Sequence, residues 1–250
     1  MNALKVFAPH VLALIGGMGA LWLGGYRPTG GYCLWGSVAL GFAYSVAFLA
    51  LVGLLPFSRY LRARPSGNWR EAARRADVAI ILGFGYELSP SGQMQPGAAN
   101  QAFLEWTLAN TTAQTLLVQE GVWVAACQPE ETTCVAGDRI LRRIHPHDPA
   151  HYVNTLATAV MAMDLMVQLG AQTAVLVAHD QQLYRAAADF ERARQQRSVG
   201  RELRFIIPEL PAMPYVSHSV HPQTRHAGLW RLAELFIARP RDFLSQIPNL

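Results

Sequence analysis

His179, Asp180 and Arg185 fall within seven residues, where an apolar run, Val175–Ala178, gives way to a polar helical stretch. An imidazole at the carboxyl end of a strand is placed to act as a general base or to touch a phosphate. Arg185, one and a half helical turns further on, can reach back to an anionic ligand. Each also has a plainer reading, in which Asp180 caps the helix and Arg185 lies along its surface. A second candidate is Gly83-Phe84-Gly85, directly after the apolar run Val78–Leu82. Glycines there let the backbone turn sharply and bring N–H groups close to an anion. The segment lacks the third glycine of the dinucleotide fingerprint and its distant acidic residue. A structural turn and a ligand cradle therefore both stay open for Gly83 and Gly85.

Other clusters promise less chemistry. His145, His147, Asp148 and His151 are suitable metal ligand types, but Pro146 and Pro149 hold the segment extended and point neighbouring side chains apart, as in a solvated loop. His218, His221 and His226 are scattered through a loop and share no centre, so no metal site is expected. No G-x-S-x-G elbow, Walker loop or H-E-x-x-H occurs, and no motif specifies a cofactor. Cys127 is thus expected to be structural. With Cys134 it brackets a short loop that a disulfide could close.

The elements that must position these residues alternate in type. Val78–Leu82, Thr115–Val118, Val122–Ala126, Thr173–Ala178 and Leu203–Ile207 are expected strands, short and mostly apolar. Ala98–Ala109, Tyr152–Leu169, Gln181–Arg197 and Gly228–Ala238 are expected helices, the second stopped at Gly170. Trp69–Arg75 adds a short basic helix. The alternation predicts an α/β fold, an open and mostly parallel sheet with helices on both faces. In such sheets ligands bind beyond the carboxyl ends of the strands, here at Gly83–Glu87, Glu120-Gly121 and His179–Gln182.

Ahead of this domain lies a different kind of sequence. Between Val6 and Phe57 the only formal charge is Arg27, which separates uncharged runs of 21 and 26 residues. Each is long enough for a helix to cross about 30 Å of hydrocarbon. Arg27-Pro28-Thr29-Gly30-Gly31 suits the turn, and Trp22, Tyr26, Tyr32 and Trp35 suit the interface beside it. The expected organisation is a transmembrane hairpin over 1–58, a basic juxtamembrane segment over 59–76 and an α/β domain over 77–250. The lipid bilayer is the expected partner, in the inner membrane of a bacterium. The net charge of +4 is local, since six arginines crowd positions 59–75. That placement fits a headgroup surface and argues against nucleic-acid binding. Counting positive residues puts the domain in the cytoplasm, whereas a Cys127–Cys134 disulfide would put it outside.

In order and content these pieces resemble the DUF218 family, also called the ElyC/SanA/YdcF family, over Asp77–Pro211. The matching features are an acidic residue, strand and Gly-rich turn at Asp77–Gly85; Glu120-Gly121 where the family has two glycines; Asn154-Thr155 opening a helix; and Arg185-Ala186 after a strand. The hairpin is similar to the ElyC arrangement. The chain departs from the pattern where Pro96–Asn100 offers no arginine, where Ala157 and Thr158 replace an acidic residue and an asparagine, and where Gln182 replaces a histidine. The resemblance implies a periplasmic domain working in cell-envelope metabolism. It implies a small anionic or nucleotide-like ligand bound by Gly83, Gly85, Asn154, Thr155 and Arg185. If the site is catalytic, His179 would serve as base for hydrolysis or group transfer on a lipid-linked precursor. The alternative is a non-catalytic interaction or scaffold subunit of a membrane complex. That reading is favoured by the lost motif residues and by Gly16, Gly17, Gly19, Gly24 and Gly25, which suit close packing against a membrane-protein partner.

Overall fold

Val78–Ile81 is buried on both faces and forms the centre of a six-stranded sheet, as an uninterrupted apolar run requires. The computed structural model describes residues 63–128, 130–145, 154–196, 202–227 and 229–230. In chain order the elements are α1 (Trp69–Arg74), β1 (Val78–Ile81), β2 (Tyr86–Leu88), β3 (Met94–Pro96), α2 (Ala98–Asn110) and β4 (Thr115–Val118). They continue with α3 (Glu120–Trp123), β5 (Thr133–Ala136), β6 (Arg139–Arg143), α4 (Thr155–Gln168), β7 (Thr173–Val177), α5 (Asp180–Gln196) and β8 (Arg204–Ile206). The strand order is β5-β6-β4-β1-β7-β8. All neighbours are parallel except the β5–β6 hairpin, and β2 and β3 form a separate antiparallel pair. The mostly parallel α/β fold expected from the sequence is present.

Alternate residues of the central strands feed two cores. Ala79, Ile81, Leu116, Val118, Val175 and Val177 pack on α1, α2 and α3 through Trp69, Phe103, Leu104 and Trp123. Val78, Ile80, Leu82, Leu117, Ala174 and Leu176 pack on α4 and α5 through Met163, Met166, Leu183 and Phe190. A one-residue slip would exchange these sets between two differently shaped layers, so the register is firmly specified.

Local chemistry fixes the helix ends. Asn154 caps α4, its side-chain oxygen accepting from the Ala157 N–H at 2.8 Å. At the other end Gly170 adopts φ +67, and the N–H groups of Gly170 and Ala171 donate to Val167 and Met166 carbonyls. That is a Schellman stop, which needs the left-handed residue that glycine supplies.

Three features differ from the sequence expectation. Val122–Ala126 is not a strand: Glu120–Trp123 is one helical turn continuing into further turns, with the Val122 and Trp123 N–H groups donating to the Gln119 carbonyl. Burying Val122 and Trp123 beneath the sheet edge outweighs the β preference of the run. Two hairpins, β2–β3 and β5–β6, were not expected. Their turns carry Gly92 and Gly137 at positive φ, and Cys127 is disulfide-bonded to Cys134 at the start of β5–β6, with a Cα separation of 6.0 Å. The expected hairpin over 1–58 and most of the helix expected over 228–238 lie outside the described residues. Among the described residues no helix is long and apolar enough to cross a membrane.

Candidate functional site at the carboxyl edge of the sheet

Each parallel crossover delivers the next helix N-terminus to the carboxyl edge. Gly83, Gly85, Asn154, Thr155, His179 and Arg185 all lie there, in three separate settings.

The glycine turn is tightly built. The Gly83 N–H donates to Gln119 Oε1 at 3.0 Å and the Phe84 N–H to Asn100 Oδ1 at 2.8 Å. Asn100, wholly buried, returns its Nδ2 to the Gly85 carbonyl at 2.6 Å. Gly85 has φ +68, and a Cβ on it would collide with Thr224 and Ser219. Gly121 is required for a similar reason, because a Cβ would sit 2.8 Å from Asn100 Nδ2. The amides of Gly83 and Phe84 are therefore held by side chains of the protein itself. Asn100 was missed by the sequence reading, although a lone amide on the apolar side of Ala98–Asn110 was the available signal.

His179, between the end of β7 and the start of α5, is 0% exposed. Its ring stacks on Phe84 at 3.8 Å and 12°, with Tyr215 tilted against it at 4.6 Å. Nδ1 lies 2.8 Å from Asp180 Oδ1 and 3.4 Å from the Gln181 backbone nitrogen. Burial pushes the Asp180 carboxyl up, but the hydrogen bond and charge of His179, with help from Gln181, outweigh it and hold the group below the usual range. Asp180 is thus a carboxylate that orients the imidazole.

Arg185 and the start of α4 form the third setting. Arg185 Nη2 faces Thr155 Oγ1 at 3.5 Å, and its guanidinium lies 5.3 Å over the Trp230 ring. Trp230 in turn donates Nε1–H to the Gln181 carbonyl at 3.2 Å. Asn154 adds its capping bond beside them. Here a guanidinium meets the positive end of a helix dipole, an arrangement that attracts an anion.

Residues 215–227 and 229–230 lie across this edge. Tyr215 lies against His179, and Trp230 lies 5.0 Å from Phe84. Ser219 and Thr224 lie against Gly85, and the Val220 N–H donates to the Tyr86 carbonyl at 3.0 Å. His221 sits beside Tyr86, where burial pushes its imidazole down from the ordinary value.

The sequence reading also missed a buried ion pair at the tips of β4 and β6. Arg143 Nε lies 3.4 Å from Glu120, and its guanidinium 4.7 Å over Trp123. Among the described residues no group of acidic, histidine and cysteine side chains could hold a metal ion. His147, Asp148 and His151 lie outside the described residues. In comparisons with protein-family models, curated proteins and solved structures, nothing matches this chain.

Proposed function

We propose that this α/β domain binds a small anion at the corner formed by Arg185, Thr155 and Asn154, as the working part of a membrane-anchored, DUF218-like protein of the bacterial cell envelope. The observation that carries the reading is the meeting of Arg185 with the N-terminus of the 14-residue α4 at Thr155. Two positive ends brought together favour a negative group between them. Binding is better supported than turnover, because His179, the candidate base, is fully buried beneath Phe84 and Tyr215. The Cys127–Cys134 pairing supports placing the domain on the oxidising side of the membrane, against the charge count.

A second reading, an interaction module with no ligand, is favoured by one observation: the Gly83 and Phe84 amides are already bonded to Gln119 and Asn100. Calorimetric titration of the full chain in detergent with inorganic phosphate and pyrophosphate separates the two. Anion binding is expected in the wild type, weakened about tenfold or more in Arg185→Ala. Heat-silent titrations of a folded wild type would favour the interaction module.

A further inference from the structure

The first turn of α5 carries an imbalance of hydrogen-bonding groups. Gln181 and Gln182 are 6% and 7% exposed, yet no described donor reaches the Oε1 atom of either. The orientation of the Gln181 amide is fixed, because its Nε2 donates to Asp180 Oδ2 at 3.3 Å, which leaves Oε1 as the acceptor. His179 Nε2 is a third buried polar atom that no described partner meets. Three buried polar atoms without described partners within four consecutive residues are costly to folding. A helix N-terminus by itself invites an anion, but the two glutamine oxygens want the opposite, groups that donate.

Helical geometry ties the cluster to the anion corner. Residues three and four apart share a face, so Arg185 projects between Gln181 and Gln182, one turn further along α5. The Trp230 ring under Arg185 is bonded to the Gln181 carbonyl, so the same side chain braces both places.

Resting on the anion-binding reading above, we infer that the ligand is a phosphorylated polyol. Its phosphate sits between Arg185 and Thr155, and its hydroxyls donate to Gln181 Oε1 and Gln182 Oε1. The two ends are separated by roughly one helical turn, about 5.4 Å, a distance a three-carbon polyol phosphate bridges. Because Tyr215 packs on His179 and Trp230 holds Gln181, ligand entry has to displace these two rings. A soluble sugar or glycerol phosphate and a glycerol-bearing lipid headgroup share this chemistry.

The test compares glycerol 3-phosphate with methyl phosphate, which keeps the charge and lacks the hydroxyls, titrated into the full chain in detergent. Glycerol 3-phosphate is expected to bind about tenfold tighter or better. Equal affinities would overturn the polyol assignment and leave the anion site standing, whereas no binding of either would remove both. Competition by vesicles of phosphatidylglycerol, but not of phosphatidylcholine, would identify the lipid source. Absence of competition alongside tight glycerol 3-phosphate binding would identify the soluble one. Gln182→Met, near in volume and without an acceptor, is expected to weaken glycerol 3-phosphate about tenfold while raising the melting temperature of the ligand-free protein. A merely structural glutamine would lower it, and that result would contradict the inference. If Gln182→Met does not fold, Gln181→Met is expected to weaken glycerol 3-phosphate alike, and unchanged affinity in it would contradict the inference.

Discussion

At the amino edge of the sheet one carboxylate oxygen takes three hydrogen bonds; at the carboxyl edge two buried amide oxygens take none from the described residues. Asp77 Oδ2 accepts from the Gln172 N–H at 2.9 Å, the Thr173 N–H at 2.8 Å and the Thr173 hydroxyl at 2.8 Å. It thereby ties the start of β1 to the start of β7. The Gln172 bond is the main reason its carboxyl lies below the ordinary range, ahead of an opposing effect of burial and the bonds from Thr173. His179, Gln181 and Gln182, at the far ends of the same strand pair, keep buried polar atoms that no described donor meets. Bonds that close on themselves stabilise a fold. Bonds left open in a buried place destabilise it, and persist where something else completes them. An open groove lined in part by Thr173, Glu191, Arg194 and Arg204 also lies at the amino edge, but Arg194 and Glu191 are already paired there at 2.6 Å.

Substitutions can break this contrast, starting from the support beneath the carboxyl edge. Gly85→Ala forces an L side chain into φ +68 and against Thr224 and Ser219, and should cost about 3 kcal/mol in urea unfolding. Asn100→Leu strands the Phe84 N–H and the Gly85 carbonyl without partners and should cost about 2–3 kcal/mol by the same measurement. A wild-type midpoint in either would mean that the turn is not held as described. Asp77→Asn sharpens the other side of the contrast. Its loss should be smaller, about 1 kcal/mol at neutral pH, because the residue is exposed to solvent.

The sign of the pH effect follows from the lowered carboxyl. The Asp77 contribution is fully present above the unfolded value near 3.9 and disappears as pH falls through the lower folded value. Wild type and Asp77→Asn should therefore converge in stability on acidification, and a constant gap down to the acid limit would contradict the clamp. Gly83→Ala should be the mildest change, about 0.5 kcal/mol or less, since a Cβ there meets only ordinary contacts from 3.5 Å outward. A loss as large as that of Gly85→Ala would show that the two glycines are not distinguished by conformation.

The central strands were legible because burial on both faces leaves continuous apolar runs, as at Val78–Ile81 and Thr173–Val177. The stop at Gly170 was legible because a left-handed cap leaves a residue-type signature. The hairpin β5–β6 was harder, since Arg139, Arg142 and Arg143 interrupt its apolar pattern; only Gly137-Asp138 between its strands signalled the turn. Val122–Ala126 misled because a short apolar run does not distinguish a strand from a buried turn. At the site, sequence placed the candidates on the correct edge of the sheet but not their partners. Asn154 proved to be a helix cap, and Asp77 a clamp at the opposite edge. Gln181 and Gln182 stood out only once their burial and missing donors were visible, which no linear pattern records.

The most direct measurement is the melting temperature of the ligand-free full chain carrying either Asp77→Asn or Gln182→Met. Asp77→Asn should melt below wild type and Gln182→Met above it, because one weakens charge-assisted bonds that are made and the other removes an acceptor that is unmet. If both variants melt below wild type, the carboxyl edge is as self-sufficient as the amino edge, and the case for a ligand there is lost.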